Sequence, residues 1–221
     1  MLIQNLTVTE YTQEYYDEHK NAGLDYLGHG YWQEEYAKMV TEACKTRGLV
    51  IDAGCACGSI LKGFAKLNYP VLGIDLNPAM IQMGSAHFDI PLYCGSMAEM
   101  PVQNNSANLI HTAQVLEHIP EELMDSIMAE FSRVLAKDGK LFVCLDAVKD
   151  GETKEMYMGD PTHVNIQPIS YWYNLFDKHG FVFDVESYNR FVRSKYSPEA
   201  NSDKNFFEHY PYWSVWILQK K

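Results

Sequence analysis

Three groups of residues have types and spacings that suit chemistry. The first begins in "LVIDAGCACGSI", residues 49–60, where an apolar run leads into Asp52 and then to small residues at every second position, Gly54, Ala56 and Gly58. A strand followed at once by small residues and then a helix lets backbone N–H groups close on a ligand that side chains would hold off. Asp75 ends "VLGID" about 20 residues on, the separation at which a carboxylate accepts the ribose hydroxyls of a nucleoside. The alternative for Asp75 is a helix cap before "NPAM". Ala56 and Ser59 stand at the second and third glycines of G-x-G-x-x-G, so a nicotinamide-type fingerprint is not satisfied. The second group is Gln114, Glu117 and His118, just after "ANLIHTA"; the third is His163 in "DPTHVN". Histidine exchanges protons near neutral pH, which suits a general base, and His163 is the leading candidate. Glu117 and His118 are read either as part of such a site or as residues that fix a helix start beneath a sheet.

These groups need a scaffold that brings them together, and the hydrophobic pattern supplies one. Short β-type runs alternate with helical ones: "LVIDAG", a helix over about 59–67, "PVLGIDL", a helix over about 78–87, "LYCGS", "ANLIHTAQV", a helix over about 120–136, and "KLFVCLDAV". Such alternation means crossover units, hence an α/β fold with a mostly parallel sheet and helices on both faces. Residues 10–47 read as two helices around "LGHGYW", an N-terminal helical cap. At the other end "SYWYNLFDKHGF" reads as a helix ending at Gly180, while "FVFDVESYNRF" and "YPYWSVWILQ" read as β runs forming an antiparallel hairpin at one edge. Between these runs, "VRSKYSPEANSDKNFFEH" is a polar surface insertion. The connection over 148–168 leaves the carboxyl end of a strand, where open α/β sheets bind ligands. The chain therefore reads as one domain over 1–221, with a cap at 1–47, a core at 48–147 and a substrate-side loop, helix and hairpin at 148–221.

The 221 residues carry a formal net charge of −11, with Lys and Arg scattered. No basic block could track a phosphate backbone, so nucleic acid is not an expected partner. No apolar run reaches the roughly 18 residues of a membrane span, and the N-terminus lacks a signal-peptide pattern, so no membrane is expected and the expected location is cytoplasmic. The five cysteines fit a reducing compartment. Cys55 and Cys57 have no second pair or histidine cluster to complete a tetrahedral site, so no metal is expected.

Five motifs in order give the chain a resemblance to the class I S-adenosylmethionine-dependent methyltransferases, over about residues 49–145. "IDAGCACG" resembles the family's D-x-G-x-G-x-G loop and "GIDLNPAMI" its acidic second-strand motif. "GSMAEMP" resembles the G-[DS]-x-x-x-[LM]-P turn, "ANLIHTAQVLEHIP" the fourth strand with its L-E-H-I signature, and "RVLAKDGKLFV" the turn into the fifth strand. Ala56 replaces a glycine of the family loop, and Asp138 stands where proline is frequent. The resemblance implies a Rossmann-like seven-stranded sheet in a three-layer α/β/α arrangement, with a reversed seventh strand and an N-terminal helical lid. It also implies S-adenosyl-L-methionine as cofactor. By that resemblance Asp52 orients the loop, Ala53, Gly54, Cys55 and Gly58 form it, and Asp75 holds the ribose. Leu76 and Met97 sandwich adenine, with Ser96 and the backbone of Met97 near the purine edge, and Met80 and Ala98 are counted among the cofactor-binding residues. Ala113, Gln114 and His118 complete the cofactor site from the fourth strand.

The N-terminal aromatic residues Tyr15, Tyr16, Tyr31 and Trp32 are lid candidates, since aromatic faces hold a sulfonium by cation–π attraction; the alternative is packing of a cap helix. Methyl transfer needs chiefly alignment and water exclusion, with His163, His118 and Glu117 as candidate catalytic groups. The expected acceptor is an oxygen or nitrogen of a small molecule, such as a sugar or natural-product intermediate. A cofactor-binding sensor or scaffold and a nicotinamide-dependent oxidoreductase are the rival readings. The sequence is silent on acceptor identity and oligomeric state.

Overall fold

The computed structural model describes residues 32–157, 160, 162–194 and 213–221. The expected first cap helix, with Tyr15 and Tyr16, lies outside the described residues, as do Tyr31 and most of the polar insertion before the last strand.

The elements run α1 (Trp32–Cys44), β1 (Val50–Ala53), α2 (Ser59–Lys66), β2 (Val71–Asp75), α3 (Pro78–His87), β3 (Leu92–Cys94) and β4 (Ala107–Ala113). They continue with α4 (Met124–Val134), β5 (Leu135–Asp146), α5 (Ile169–Lys178), β6 (Phe181–Phe183), α6 (Val185–Val192) and β7 (Trp213–Lys220). The seven strands form one sheet in the order β3-β2-β1-β4-β5-β7-β6. β1 to β5 pair in parallel, and β7 runs antiparallel to both β5 and β6. The chain order reverses between β1 and β4, which places a crevice at their carboxyl ends.

The period-2 alternation of strands divides the core into two layers. Along β5, Leu141, Val143 and Leu145 face a layer built with Phe131, Val134 and Trp172 from α4 and α5. Phe142 and Cys144 face the opposite layer, with Val40, Phe64 and Phe191 from α1, α2 and α6. α1 is the described part of the N-terminal cap, and it buries Ala37, Val40 and Ala43 in that layer.

Local chemistry explains where the elements start and stop. α3 opens with Pro78 at its first turn and with Asn77, rather than Asp75, as its N-cap, the Asn77 side chain accepting the Ala79 amide at 2.9 Å. α5 ends before Gly180, whose φ of 78° is the left-handed stop. β5 begins earlier than "KLFVCLDAV" predicts: Ala107 pairs with Leu135, but Leu109 already pairs with Lys140, so the "AKDG" stretch is accommodated as a bulge. The run "FVFDVESYNRF" is only half a strand. After Phe183, the Asp184 carboxylate accepts the Ser187 amide and hydroxyl, caps a helix, and lets Ser187 and Phe191 bury one face of α6.

Candidate active site

β1 carries the chain into Gly54 with φ 84°, Ala56 with φ 48° and Gly58 with φ 82°, three left-handed residues in one turn. A Cβ at Gly54 would lie 2.5 Å from both γ-methyls of Val115, so glycine here makes room for the segment leaving β4 as well as for the turn. Gly58 is likewise filled in, with the Ile90 and Leu92 side chains at 2.9 and 3.0 Å from a built Cβ. Ala56 adopts a conformation unfavourable for a residue with a Cβ, and Asp75 holds it there: one carboxylate oxygen accepts the Ala56 amide at 2.7 Å and the other the Asn77 amide at 2.8 Å. Asp75 thus clasps the turn to the end of β2. Each of its oxygens keeps a second lone pair. Burial pushes its carboxyl above the ordinary value, against the pull of those two amides. Next to it the Leu76 side chain is 39% exposed, whereas Met97 is 8% exposed and packs into the core. The Ser96 hydroxyl accepts the Ala98 amide at 3.1 Å, which shapes the turn after β3.

The Gly54 contact yields a measurable expectation. Gly54→Ala adds both a clash with Val115 and left-handed strain, and should cost about 2–3 kcal/mol in chemical denaturation. Val115→Ala in the same chain should recover the clash component only, leaving about 1 kcal/mol of backbone strain.

Not every residue singled out by the sequence lies at the mouth. Asp52 is turned into the sheet, where its carboxylate accepts from His111 Nδ1 at 2.7 Å; the two residues are register partners in β1 and β4. His111 Nε2 is in turn 2.8 Å from the Tyr36 hydroxyl of α1, and the imidazole stacks on Phe142 with centroids 5.4 Å apart. Ala53 and Met80 are fully buried, and Cys55 nearly so. Trp32 is the first residue of α1.

On the other side of the crevice, Gln114 leaves β4 with φ 56°, its amide donating to the Cys144 carbonyl at 2.7 Å. This left-handed residue turns the chain from Ala113 into a short 3-10 turn, Leu116–His118. Glu117 is fully buried there and accepts the Asp146 amide at 3.2 Å through Oε1. Its own carbonyl accepts the Asn165 amide at 2.9 Å, which pins the long connection after β5 back onto β4. His163 and His118 meet edge to face with ring centroids 4.3 Å apart. His163 Nδ1 lies 2.5 Å from the Tyr157 hydroxyl, which donates to Asp146 Oδ2. His118 Nδ1 lies 3.1 Å from the Thr162 hydroxyl, which donates to Asp160. Asn165 is 1% exposed, and its side-chain amide has no hydrogen-bond partner among the described residues; nor have Glu117 Oε2 and Asp146 Oδ1.

The electrostatics follow from burial. Desolvation pushes the Glu117 carboxyl up to about 7, and desolvation together with the His163 imidazole takes His118 down to about 4. Burial, then the bond to Asp146, pushes the Tyr157 phenol up, so it stays protonated. Burial opposes ionisation of Asp160, but the Thr162 hydroxyl and amide hold its carboxyl below the usual range.

Glu117 therefore confers a definite pH dependence. Its folded carboxyl binds a proton more tightly than the unfolded value of 4.5, so its contribution is fully favourable below that value and is lost as pH rises through about 7. Glu117→Gln should be more stable than the parent by about 2–3 kcal/mol above about pH 8, the gain vanishing in acid. Urea midpoints of both proteins across pH would measure it.

The Glu117, His118 and His163 group foreseen from the sequence does come together. Asp146, Tyr157 and Asn165 were missed, as was His111. Asp146 and Tyr157 flank a long loop and carry no local pattern; the one available signal was that an acid closes β5 as Asp75 closes β2. Among the described residues no group of three or more His, Cys, Asp and Glu is placed to hold a metal ion, and no helix is long and apolar enough to cross a membrane.

The strand order reverses at β1/β4, an acid clasps a left-handed turn, and one reversed strand stands next to the edge. Residues 50–139 match the family model of a methyltransferase domain. Over that stretch the chain carries a methyltransferase domain, of the class I S-adenosylmethionine-dependent kind that its motifs resemble. It is 28% identical over 141 residues to the uncharacterised methyltransferase YodH of Bacillus subtilis, a match covering 60% of this chain and 59% of that protein's own length. Among solved structures it is similar to a TehB-like SAM-dependent methyltransferase from Corynebacterium glutamicum, with 18% identity and TM-score 0.65 over 96% of this chain and all (100%) of that one. It is equally similar to the PH0226 protein from Pyrococcus horikoshii, with 16% identity and TM-score 0.66 over 95% and 100%. These two likenesses concern the fold. S-adenosylmethionine is the cofactor of this methyltransferase family. The residues fit it: a half-buried carboxylate with lone pairs to spare for a diol stands beside an exposed leucine suited to a flat heterocycle.

Proposed function

We propose that this methyltransferase moves a methyl group from S-adenosylmethionine to an oxygen or nitrogen of a small molecule. The observation that carries the reading is that the Asp75 clasp at the end of β2 and a buried group of proton-handling side chains after β4 and β5 both follow the carboxyl ends of parallel strands. In this reading Asp75 takes the ribose hydroxyls, Leu76 and Met97 flank adenine, and Ser96, Met97 and Ala98 meet its edge. The turn Ala53–Gly58 and the exit of β4 at Ala113 and Gln114 shape the space for the amino-acid portion, and Asp52 supports that turn from below through His111. When bound, the cofactor supplies a methyl group on a sulfonium whose sulfur departs with the bonding pair as a neutral thioether.

The chain's own contribution is alignment and proton handling. His163 accepts the acceptor's proton, Tyr157 and Asp146 stand behind it, and His118 stays neutral beside it. Beyond that the reaction asks the site to align the acceptor with the methyl group and to exclude water. Residues 48–147 then serve as the cofactor core and 148–221 as the acceptor side of one functional unit.

Calorimetric titration with S-adenosylmethionine, with S-adenosylhomocysteine and with NAD tests the reading. Micromolar binding of the first two and none of the third is expected, after which a homocysteine-release assay can screen candidate acceptors. Binding of NAD in place of the sulfonium compound would overturn it.

A further inference from the structure

Hydrogen-bond accounting around the two histidines fixes more than their positions. A carboxylate accepts only, a phenol has one donor and two acceptor positions, and a neutral imidazole has one nitrogen of each kind. The Tyr157 proton is committed to Asp146 Oδ2 at 2.5 Å. The Tyr157 oxygen then accepts twice, from the Asp160 amide at 3.1 Å and from His163 Nδ1 at 2.5 Å. His163 Nδ1 must therefore carry the hydrogen. The same bookkeeping applies to its neighbour: the Thr162 hydroxyl gives its proton to Asp160 Oδ1 at 2.6 Å, so at 3.1 Å it can only accept from His118 Nδ1.

We propose that two parallel carboxylate–hydroxyl–imidazole relays, Asp146–Tyr157–His163 and Asp160–Thr162–His118, lock both histidines as Nδ1–H tautomers, making Nε2 the proton-accepting atom of each. Asp146, Tyr157, Asp160 and Thr162 are thereby positioning residues. The two relays are not equivalent. Asp146 Oδ2 also lies 3.4 Å from His163 Nδ1, so a proton gained at His163 Nε2 finds its counter-ion at once. His118 is 4.3 Å away edge to face, and its own charging would put two cations side by side. His163 is thus the proton acceptor and His118 its neutral neighbour. The proton balance is simple: an acceptor group that loses its hydrogen on methylation passes it to His163 Nε2, and the imidazolium is neutralised by Asp146 through Tyr157. That last role rests on the methyl-transfer reading above, whereas the tautomers do not.

The test uses the full chain without cofactor, labelled with 15N-histidine, and long-range 1H–15N correlation near neutral pH. His163→Gln and His118→Gln assign the signals. His163 and His118 should each show a protonated Nδ1 and an unprotonated Nε2. Tyr157→Phe should move the His163 signals and leave those of His118, and Thr162→Val should do the reverse. The double variant Tyr157→Phe/Asp146→Asn, which removes both partners of His163 Nδ1, should abolish the tautomer preference of His163. His111, bonded through Nδ1 to Asp52 in the core, reports in the same spectra whether each variant is folded. A wild-type His163 or His118 carrying its proton on Nε2 would overturn the proposal, even if every variant unfolded. So would folded Tyr157→Phe and Thr162→Val proteins that shift both histidines alike or neither. A chain with these tautomers that fails to bind S-adenosylmethionine would instead count against the methyl-transfer reading alone.

Discussion

Asp75→Ala should weaken S-adenosylmethionine binding by about a hundredfold or more. Hydrogen bonds to a charged group contribute about 1.5–3 kcal/mol each, and the variant loses those that hold the turn, where Ala56 and Asn77 donate at 2.7 and 2.8 Å, together with those to the ribose that the proposed function assigns to Asp75. Ala56, in a left-handed conformation at φ 48°, has little reason to stay there once its amide is released. The loss should therefore appear equally for S-adenosylhomocysteine, because neither contribution involves the methyl group. Asp75→Asn keeps one acceptor oxygen and should fall between the parent and the alanine variant. Calorimetry on the three proteins checks this; unchanged affinity in Asp75→Ala would mean that the ribose is held elsewhere.

The largest effect on stability is expected deeper in the sheet. His111→Ala should cost about 3–5 kcal/mol, because it strands the Asp52 carboxylate, only 3% exposed, without its partner and removes the acceptor of the Tyr36 hydroxyl. The Asp52–His111–Tyr36 chain ties β1, β4 and α1 together two residues before the Gly54 turn. Asp52→Leu combined with His111→Ala should cost less than the two single changes added, since the second substitution removes a group the first has already left unpaired. Urea denaturation of the set measures the coupling. A loss below about 1 kcal/mol in His111→Ala would show that the pair is carried without stabilising anything.

How much of this could be read beforehand depends on the range of the interaction concerned. The α3 boundaries were legible because the signals are local: Asn77 caps and Pro78 opens within two residues. The α/β alternation was legible for the same reason. "FVFDVESYNRF" misled because its apolar spacing resembles a strand, and only the capping by Asp184 marks the change to a helix. Glu117, His118 and His163 stood out as titratable residues after strand ends, and the fold does gather them. Their partners did not stand out. Tyr157 and Asp146 acquire meaning only through the path of a connection whose return is fixed by the Asn165 amide on the Glu117 carbonyl. His111 sits in mid-strand, where nothing but register reveals Asp52 beside it. In each case the missing information was a long-range pairing.

The direction of β7 has a consequence for how such a chain can diversify. Because it runs against β5, its first residue, Trp213, lies level with Asp146 at the end of β5. One reversal thus brings a second stretch of chain, remote in sequence, to the end of β5 that carries Asp146. The turn that Asp75 clasps is built from β1 and β2, on the other side of the sheet's centre. On the proposed reading, acceptor choice can then be varied at the carboxyl-terminal strand while the Asp75 clasp at the other end of the sheet is left untouched.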